Sequence, residues 1–373
     1  MGIHWLIILS FVIVVAQSYA FAKWGLSRLQ YSRYFTHSVV SQGDEIEMVE
    51  EIANKKPLPL PWLRLESRID SSLQFHKQDN LDVVNDHFHR SLFSLLPYQK
   101  IKRRHKVVCA RRGQYQLQSV SFTLGDLFGL DESYKTVSTD ASILVTPQLI
   151  DMEDIPFPSH SWQGDILVRR WIVEDPFVHA GVRQYSYGDP LQSINWNATA
   201  RVGSLQVNKK DTTADPNLLV YVSFDLSDDL WIPITDDRLI EKGISYAATI
   251  AHYAISNGIN TGFGCNSYLL EPGEKAEKVP SSIRIESGSG KGHFTYLLES
   301  MAKLKMVKSM SFNHFLKEDI DNKLTNSDIV ILAAFVSDKT KEHIADLEKL
   351  GNTVTVVNLK DDDELKAGEN HVG

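Results

Sequence analysis

Cysteine is nearly absent from this sequence of 373 residues, which contains only Cys109 and Cys265. The two lie far apart, each within an apolar run typical of a strand, and there is no CxxC pair or cysteine–histidine cluster. No disulfide framework is therefore indicated, and we expect two buried thiols in a reducing compartment. The same absence leads us to expect no zinc site.

An excess of positive charge is also missing. Lysine and arginine number 39 against 47 aspartate and glutamate, so the formal net charge is −8. This balance argues against nucleic acid as a partner, and the basic run at residues 102–106 is typical of the solvated face of a strand. A content of 43% hydrophobic and 23% charged residues is ordinary for a folded protein, and the length indicates two globular units with additional segments.

Signatures of catalysis are missing as well. The sequence has no G-x-S-x-G elbow, and its glycine-rich residues 287–292 lack the GxxxxGK[ST] spacing of a phosphate-binding loop. We interpret residues 287–292 as a flexible loop before a helix. We therefore expect no enzymatic activity, although a serine or cysteine that meets a histidine in the fold would reopen the question.

The longest apolar run lies at the N terminus, where residues 3–22 contain no Asp, Glu, Lys or Arg. Its length suits a bilayer core. Positive charge follows the run, at Lys23, Arg28 and Arg33, which places the bulk of the chain in the cytoplasm behind a single-pass anchor at residues 1–25. The alternative is a cleaved signal peptide, since residues 18–20 loosely resemble a cleavage site.

After a linker at residues 26–42, residues 43–150 alternate apolar and polar side chains between turns. Ile46, Met48 and Ile52 mark one strand, and Leu63 and Leu65 mark another. Several short strands with little helical pattern predict a β-sandwich-like domain, which we interpret as a spacer or interaction domain.

Residues 151–217 form a connector that is rich in tyrosine, tryptophan and arginine. Asp189 before Pro190 predicts the start of a short helix that presents Ile194 inward, and Gly203 predicts its end. Direct ligand contact by Gly188 and Asp189 is the open alternative. The connector is either an ordered strap that ties the chain to the following domain or a recognition surface for another protein. The candidate interaction residues are Arg183, Tyr185, Gly188, Asp189, Ile194, Trp196 and Arg201.

Strands and helices alternate from residue 218 to residue 360, before a polar tail at residues 361–373. Strands are predicted at 218–224, 261–265, 328–334 and 353–357, and helices at 238–256, 294–304 and 341–350. This alternation predicts a parallel sheet with helices on both faces, which binds ligands at the carboxyl ends of its strands. Asp225, Ser227 and Asp229 follow the first strand and could offer oxygen ligands to Mg²⁺. A cap for the next helix and a plain acidic loop are the competing interpretations, because an oxygen-only site needs several more ligands than this short motif supplies.

The connector resembles the bacterial domain-of-unknown-function family 58. The family pattern R-x-Y-x-x-G-D is matched by Arg183, Tyr185 and Gly188-Asp189, and Ile194, Trp196 and Arg201 match the remainder. Gln192 and Asn197 stand where the family usually carries Arg and Lys. The resemblance extends upstream to short segments at residues 43–45, 59–63, 112–113 and 126–130.

This resemblance implies an α+β multidomain protein with an N-terminal transmembrane helix and a C-terminal half similar to a von Willebrand factor A domain. The metal site of such domains is built on D-x-S-x-S, which Asp225 and Ser227 match and Asp229 does not. Family members are typically membrane-anchored and associated with MoxR-type AAA+ ATPases, and with transglutaminase-like or von Willebrand factor A proteins. We therefore expect a non-catalytic, membrane-anchored interaction or assembly protein without a required cofactor. The alternative is a Mg²⁺-dependent protein-binding module.

Overall fold

The computed structural model of the protein describes residues 2–75, 81–84, 88–126, 132–157, 174–185, 194–212, 217–227, 234, 237–269 and 281–359. These residues divide into two compact units. Unit 1 extends to Gln148, and unit 2 begins at Leu149.

The chain begins with helix α1, Gly2–Trp24. Its stretch from His4 to Trp24 is long and apolar enough to cross a membrane, and a signal sequence near the N terminus has the same properties. The end of the helix is fixed to unit 1. Phe21 packs into the core, and Gln17 Nε2 donates a hydrogen bond of 2.8 Å to Asp126 Oδ2.

Residues 26–42 are not a linker, contrary to the sequence-based prediction. They contain strands β1, Leu29–Phe35, and β2, Val39–Ser41. Strand β1 turns Tyr31, Arg33 and Phe35 toward the interior. The buried arginine conceals the period-two pattern, because an inward position normally reads as apolar.

Unit 1 consists of two sheets packed face to face. Their strand orders are β1-β3-β8-β5 and β2-β10-β9-β4-β7-β6, and every neighbouring pair is antiparallel except β2 and β10. Side chains of both sheets meet in two apolar clusters. The remaining strands are β3 Glu45–Asn54, β4 Leu60–Arg68, β5 Leu73–Phe75, β6 Leu81–Val84, β7 Phe88–Leu95, β8 Lys100–Cys109, β9 Gly113–Gly125 and β10 Glu132–Thr146.

Unit 2 opens with a 3-10 turn, Met152–Asp154, and an antiparallel pair of strands that flanks a short helix. A five-stranded sheet follows, with the order β15-β14-β13-β16-β17. The elements are β11 Glu174–Gln184, α2 Trp196–Val202, β12 Gln206–Thr212, β13 Asn217–Val222, α3 Arg238–Ser256, β14 Thr261–Cys265, β15 Ile283–Gly288, α4 Gly290–Lys303, α5 Phe312–Asp321, β16 Ser327–Ala333, α6 Asp338–Lys349 and β17 Thr353–Asn358.

Helices cover both faces of this sheet, as the uninterrupted apolar run in β13 predicts. Leu218, Val220 and Val222 contribute to a cluster with α3 and α4, whereas Leu219 and Tyr221 pack against α5. The predicted helix at 238–256 and strand at 261–265 are confirmed as α3 and β14.

Two further predictions in unit 2 are wrong. The sheet is not entirely parallel, because β15 pairs antiparallel with β14. The glycine-rich residues 287–292 are not a loop: Gly288 ends β15 and Gly290 begins α4. His293 fixes this junction, since its Nε2 lies 2.7 Å from the Thr261 carbonyl oxygen and a Cβ on Gly288 would lie 2.7 Å from its Nδ1.

Candidate functional site

The described part of the connector folds back onto its own strand pair. Ile194 forms an isolated bridge with Val207, and the Tyr185 N–H donates to the Leu205 carbonyl at 2.9 Å. The Thr199 hydroxyl accepts the Gln206 N–H at 2.9 Å. These contacts order the connector internally.

Helix α2 does not begin at Asp189 and Pro190. Ile194 lies in an isolated β-bridge, and Asn195 is the extended N-cap, with its side chain accepting the Ala198 N–H at 2.9 Å. Asparagine and aspartate are about equally good N-cap residues. The sequence therefore offered two candidate caps in one short stretch, Asp189 and Asn195. The predicted end is confirmed: Gly203 adopts φ +76° and donates its N–H to the Thr199 carbonyl.

We expect Asn195→Ala to weaken α2 by about 1 kcal/mol, because it leaves an N–H at the helix start without its acceptor. The measurement is hydrogen–deuterium exchange of the peptide that contains residues 196–202. Asn197→Ala, a change of the same size on the exposed surface of the same helix, is the matched control. Equal exchange rates for the two variants would contradict the assignment of Asn195 as the cap.

The family-type residues separate into buried and exposed sets. Ile194 is buried, Tyr185 is half-buried and Arg201 is exposed. Trp196 is 67% exposed, and Val202 and Leu205 are also largely open, at 64% and 43%. We call Trp196, Val202 and Leu205 the motif patch. Arg183 belongs to β11, whereas Gly188 and Asp189 lie outside the described residues.

A cleft of about 480 Å³ lies at the carboxyl end of the unit 2 sheet. The chain leaves β13 toward β14 on one side and returns to β16 on the other, so this edge is the topological switch point. Asp225 and Ser227 lie on the cleft, as the sequence predicts for residues after the first strand, whereas Asp229 is outside the described residues. The structure adds oxygen-bearing side chains that sequence reasoning missed: Ser311, Asn313, Ser337, Asp338 and Thr340.

Asp225 has a structural role in this cleft. Its Oδ1 accepts from Asn266 Nδ2 at 2.9 Å, and its Oδ2 accepts the Phe312 N–H at the start of α5 at 2.8 Å. A carboxylate at a helix N terminus is favoured by the helix dipole. Asn266 also binds the Phe224 N–H and the Met310 carbonyl, so it joins the ends of two strands to the segment before α5.

A second polar site, which sequence reasoning missed, lies inside unit 1. Six polar side chains project between the two sheets, each no more than 5% exposed, and we call them the polar layer: Arg33, Glu50, Ser67, His89, Ser91 and His105. On β3, Glu50 lies between Met48 of one apolar cluster and Ile52 of the other. The layer therefore divides the interior of unit 1 in two.

Glu50 is the centre of this layer. Its Oε1 accepts from Arg33 Nε at 3.0 Å and from the Tyr31 hydroxyl at 2.8 Å, and its Oε2 lies 3.2 Å from His105 Nε2. Arg33 Nη1 also donates to the Ser67 hydroxyl at 2.9 Å. The His89 and His105 rings meet edge to face, with centroids 5.2 Å apart.

The layer shifts the ionisation of its members. Burial alone raises the pKa of Glu50, but the hydrogen bond from His105 and the charge of Arg33 hold that pKa well below 4.5. Burial lowers the pKa of His89 from 6.5 to about 3, despite the opposing effect of the Glu50 charge. Burial, with the charge of Glu50, raises the pKa of Tyr31 well above 10.

We expect unit 1 to lose thermal stability as the pH falls from 6.5 to about 3. Unfolded His89 takes up a proton below pH 6.5 that the folded chain excludes until about pH 3, so acid favours unfolding. The low pKa of folded Glu50 stabilises unit 1 fully above pH 4.5, and this stabilisation is lost as the pH falls below that value. Glu50 and His89 therefore both make unit 1 less stable in acid. The thermal midpoint of the metal-free protein, in detergent micelles with a chelator present, measures the effect. His89→Phe should flatten the profile between pH 6.5 and 4.5 only, and an unchanged profile would contradict this account.

One sequence signal could have revealed the polar layer. Ile46, Met48 and Ile52 were recognisable as one strand face, and period two places Glu50 on that face between them. The hydrogen-bond partners of Glu50 lie on β1 and β8, and His89 lies on β7. Pairing between strands that are distant in the chain is not readable from a single sequence.

Together, these features define a two-unit protein of mixed α and β structure, with an apolar N-terminal helix and an α/β sheet that carries a cleft at its switch point. Residues 181–366 match the family described as "Protein of unknown function DUF58", which confirms the resemblance over just under half of the chain. An "Uncharacterized protein YeaD" of Bacillus subtilis (strain 168) is 22% identical over 373 residues, covering 99% of this chain and 85% of that protein.

Two solved structures are distantly similar to part of this chain. A non-cellulosomal cohesin from Archaeoglobus fulgidus is 12% identical and has a TM-score of 0.24, covering 32% of this chain and 93% of that one. A native alpha-2-macroglobulin segment from Escherichia coli is 11% identical and has a TM-score of 0.25, covering 32% and 23% of the two chains. Scores this low carry no argument about function.

Proposed function

We propose that this protein is a non-catalytic, membrane-anchored interaction or assembly protein that works with a MoxR-type AAA+ ATPase at the cytoplasmic membrane face. The observation that carries the proposal is the motif patch. Trp196 is 67% exposed and lies in a segment that matches the family, and the same short segment carries two further exposed apolar side chains.

The motif patch has the properties of a protein-binding surface. Tryptophan and arginine dominate binding hot spots, and Trp196 and Arg201 both lie exposed on α2. The backbone beneath them is already ordered by the Asn195 cap and by the bond between Thr199 and Gln206. A rigid surface loses little conformational entropy on binding, which favours affinity.

Helix α1 supports the membrane location. Its apolar side chains are exposed, with Trp5 at 72% and Phe11 at 69%, so that they would meet lipid rather than protein. Lys23 lies in the last turn of the helix and Arg28 just after it, and positive charge at this end favours a cytoplasmic location for both units.

A photo-crosslinking amino acid at position 196 tests the proposal in native membranes. We expect an AAA+ ATPase to be captured from position 196, and the capture to fall at least about tenfold when Arg201→Ala is added, as hot-spot losses of 2 kcal/mol or more imply. The matched control is the same amino acid at position 296 with Lys291→Ala. Tyr296 and Lys291 are also an exposed aromatic and a cation five residues apart, on α4.

Two results would contradict the proposal. One is equal capture from positions 196 and 296, which would mean that the motif patch has no selectivity. The other is efficient capture from position 196 that never contains an AAA+ ATPase.

A second candidate is a Mg²⁺-dependent module of the von Willebrand factor A kind. It is favoured by the place of the cleft at the switch point of the sheet, with Asp225, Ser227 and Asp338 on its walls. Hard cations take oxygen ligands of this type. The hydrogen bonds already made by Asp225 weigh against it, because both carboxylate oxygens hold α5 and Asn266 in place.

Calorimetry with Mg²⁺ or Mn²⁺ on the full chain in micelles separates the two candidates. The metal-dependent module requires saturable heat at millimolar ion or below, with a loss of binding in Ser227→Ala. That change leaves the contacts of Asp225 with Asn266 and α5 intact. Heat that is absent in the wild type eliminates this second candidate.

A further inference from the structure

The polar layer of unit 1 contains a set of potential metal ligands. Glu50, His89 and His105 each offer one ligand atom, and these three atoms lie within 4.8 Å of one another. The three side chains come from β3, β7 and β8, so strands of both sheets contribute. All three are buried, with exposures of 0%, 2% and 4%.

His89 is the anomaly in this set. Neither of its ring nitrogens has a hydrogen-bond partner among the described residues. Leaving a buried polar group without a partner costs about 1–3 kcal/mol, and such groups in native proteins call for an explanation. Ser91, two residues along β7, likewise has a buried hydroxyl without a partner among the described residues.

We propose that Glu50, His89 and His105 bind one transition-metal ion of the zinc type inside unit 1. Two imidazoles and one carboxylate are a recurrent ligand set for such ions. The ion would take a nitrogen lone pair of His89 and would separate His105 Nε2 from Glu50 Oε2, which now lie 3.2 Å apart. A bound ion would therefore give the buried His89 ring a partner, which no described side chain or backbone group provides.

The contacts around Glu50 resemble the outer contacts that orient metal ligands. Arg33 and Tyr31 both bind Oε1, which fixes the carboxylate and leaves Oε2 directed at His105. Hydrogen bonds to a ligating carboxylate are a regular feature of metal sites. The sequence contains no cluster that would show this site, because its ligands are 16 or more residues apart and meet only through strand pairing.

Arg33 also decides which ion is suited to the site. Its positive charge beside Glu50 opposes every cation, so binding has to come from direct bonds to nitrogen rather than from charge. This favours ions that bond well to imidazole, such as Zn²⁺, over Mg²⁺ or Ca²⁺, which require several oxygen ligands. The site is therefore different in kind from the oxygen-lined cleft of unit 2.

The test is the metal content of the full chain, expressed in zinc-supplemented medium and purified in micelles with a handle that contains no histidine. We expect about one ion per chain in the wild type and at most about a tenth of that in His89→Phe and His105→Phe. His37→Phe, which removes an exposed histidine of the same unit, should retain the ion. X-ray absorption on the wild type should show only nitrogen and oxygen neighbours, at about 2.0–2.1 Å.

Three results would overturn the proposal. A folded wild type with less than about a tenth of an equivalent of metal means that the polar layer is a closed network. Full occupancy in His89→Phe places the ion elsewhere. Sulfur in the first coordination shell assigns the ion to a cysteine. The absorption measurement uses the wild type alone, so the proposal stays testable if a histidine variant does not fold.

Discussion

Glu50→Ala is expected to lower the free energy of unfolding of unit 1 by about 3–5 kcal/mol, the usual cost of removing one partner of a buried ion pair. Arg33 is only 5% exposed in the wild type. Without Glu50 its buried charge would keep only Ser67 as a hydrogen-bond partner in the polar layer. Site-resolved hydrogen–deuterium exchange of β3 and β8 in the full chain measures the loss, because those amides open with unit 1.

Two controls separate this effect from a general sensitivity of β3. Glu51→Ala removes the neighbouring carboxylate, which pairs with Lys100 and Lys102 on the outer face, and should leave exchange near the wild-type rate. The double change Arg33→Leu and Glu50→Leu removes both charges and should recover most of the loss. If the β3 and β8 amides exchanged equally slowly in Glu50→Ala and Glu51→Ala, the buried charge of Glu50 would not be needed for stability.

Asn266→Ala is expected to cost unit 2 roughly 3 kcal/mol, because it leaves several buried groups without partners at about 1 kcal/mol or more each. Asn266 is fully buried and binds the Phe224 N–H, the Met310 carbonyl and Asp225 Oδ1, each at 2.9 Å. Denaturant unfolding read through exchange of the β13 and β14 peptides measures this loss.

Asn257→Ala is the matched control for that change. Asn257 is exposed, and its side chain binds only the Tyr253 carbonyl among the contacts resolved for it, so the effect should stay below about 0.5 kcal/mol. Asn266→Asp is expected to be at least as damaging as Asn266→Ala, since it removes both N–H donors and adds a negative charge beside Asp225. A mild Asn266→Asp variant would contradict the proposed hydrogen-bond geometry.

Periodicity predicted the α/β half of the chain well. An amphipathic run of 19 residues fixes α3, and an unbroken apolar strand fixes β13, because both are strong local signals. The amphipathic α5 escaped prediction because it spans only ten residues, and β15 because its residues are partly exposed on both faces. Short or weakly alternating elements are decided by tertiary contacts that one sequence does not show.

The candidate sites were predictable to different degrees. Asp225 and Ser227 could be placed on the cleft from the end of their strand alone. The presence of Ser311 and Ser337 in the same cleft could not be predicted, because they are N-cap residues of helices that lie far away in the sequence. Asn195 replaced Asp189 as the cap of α2 because only the fold decides between two good capping residues.

The polar layer also bears on how the strands of unit 1 find their alignment. A slip of β3 by two residues along β1 would keep every apolar side chain on the inner face, so alternation alone leaves the two alignments nearly equivalent. The same slip would move Glu50 away from Arg33, its direct partner on β1, and toward an apolar cluster. A single buried charge pair thus makes one register far more stable than its neighbours, a specificity that a wholly apolar interior would not provide.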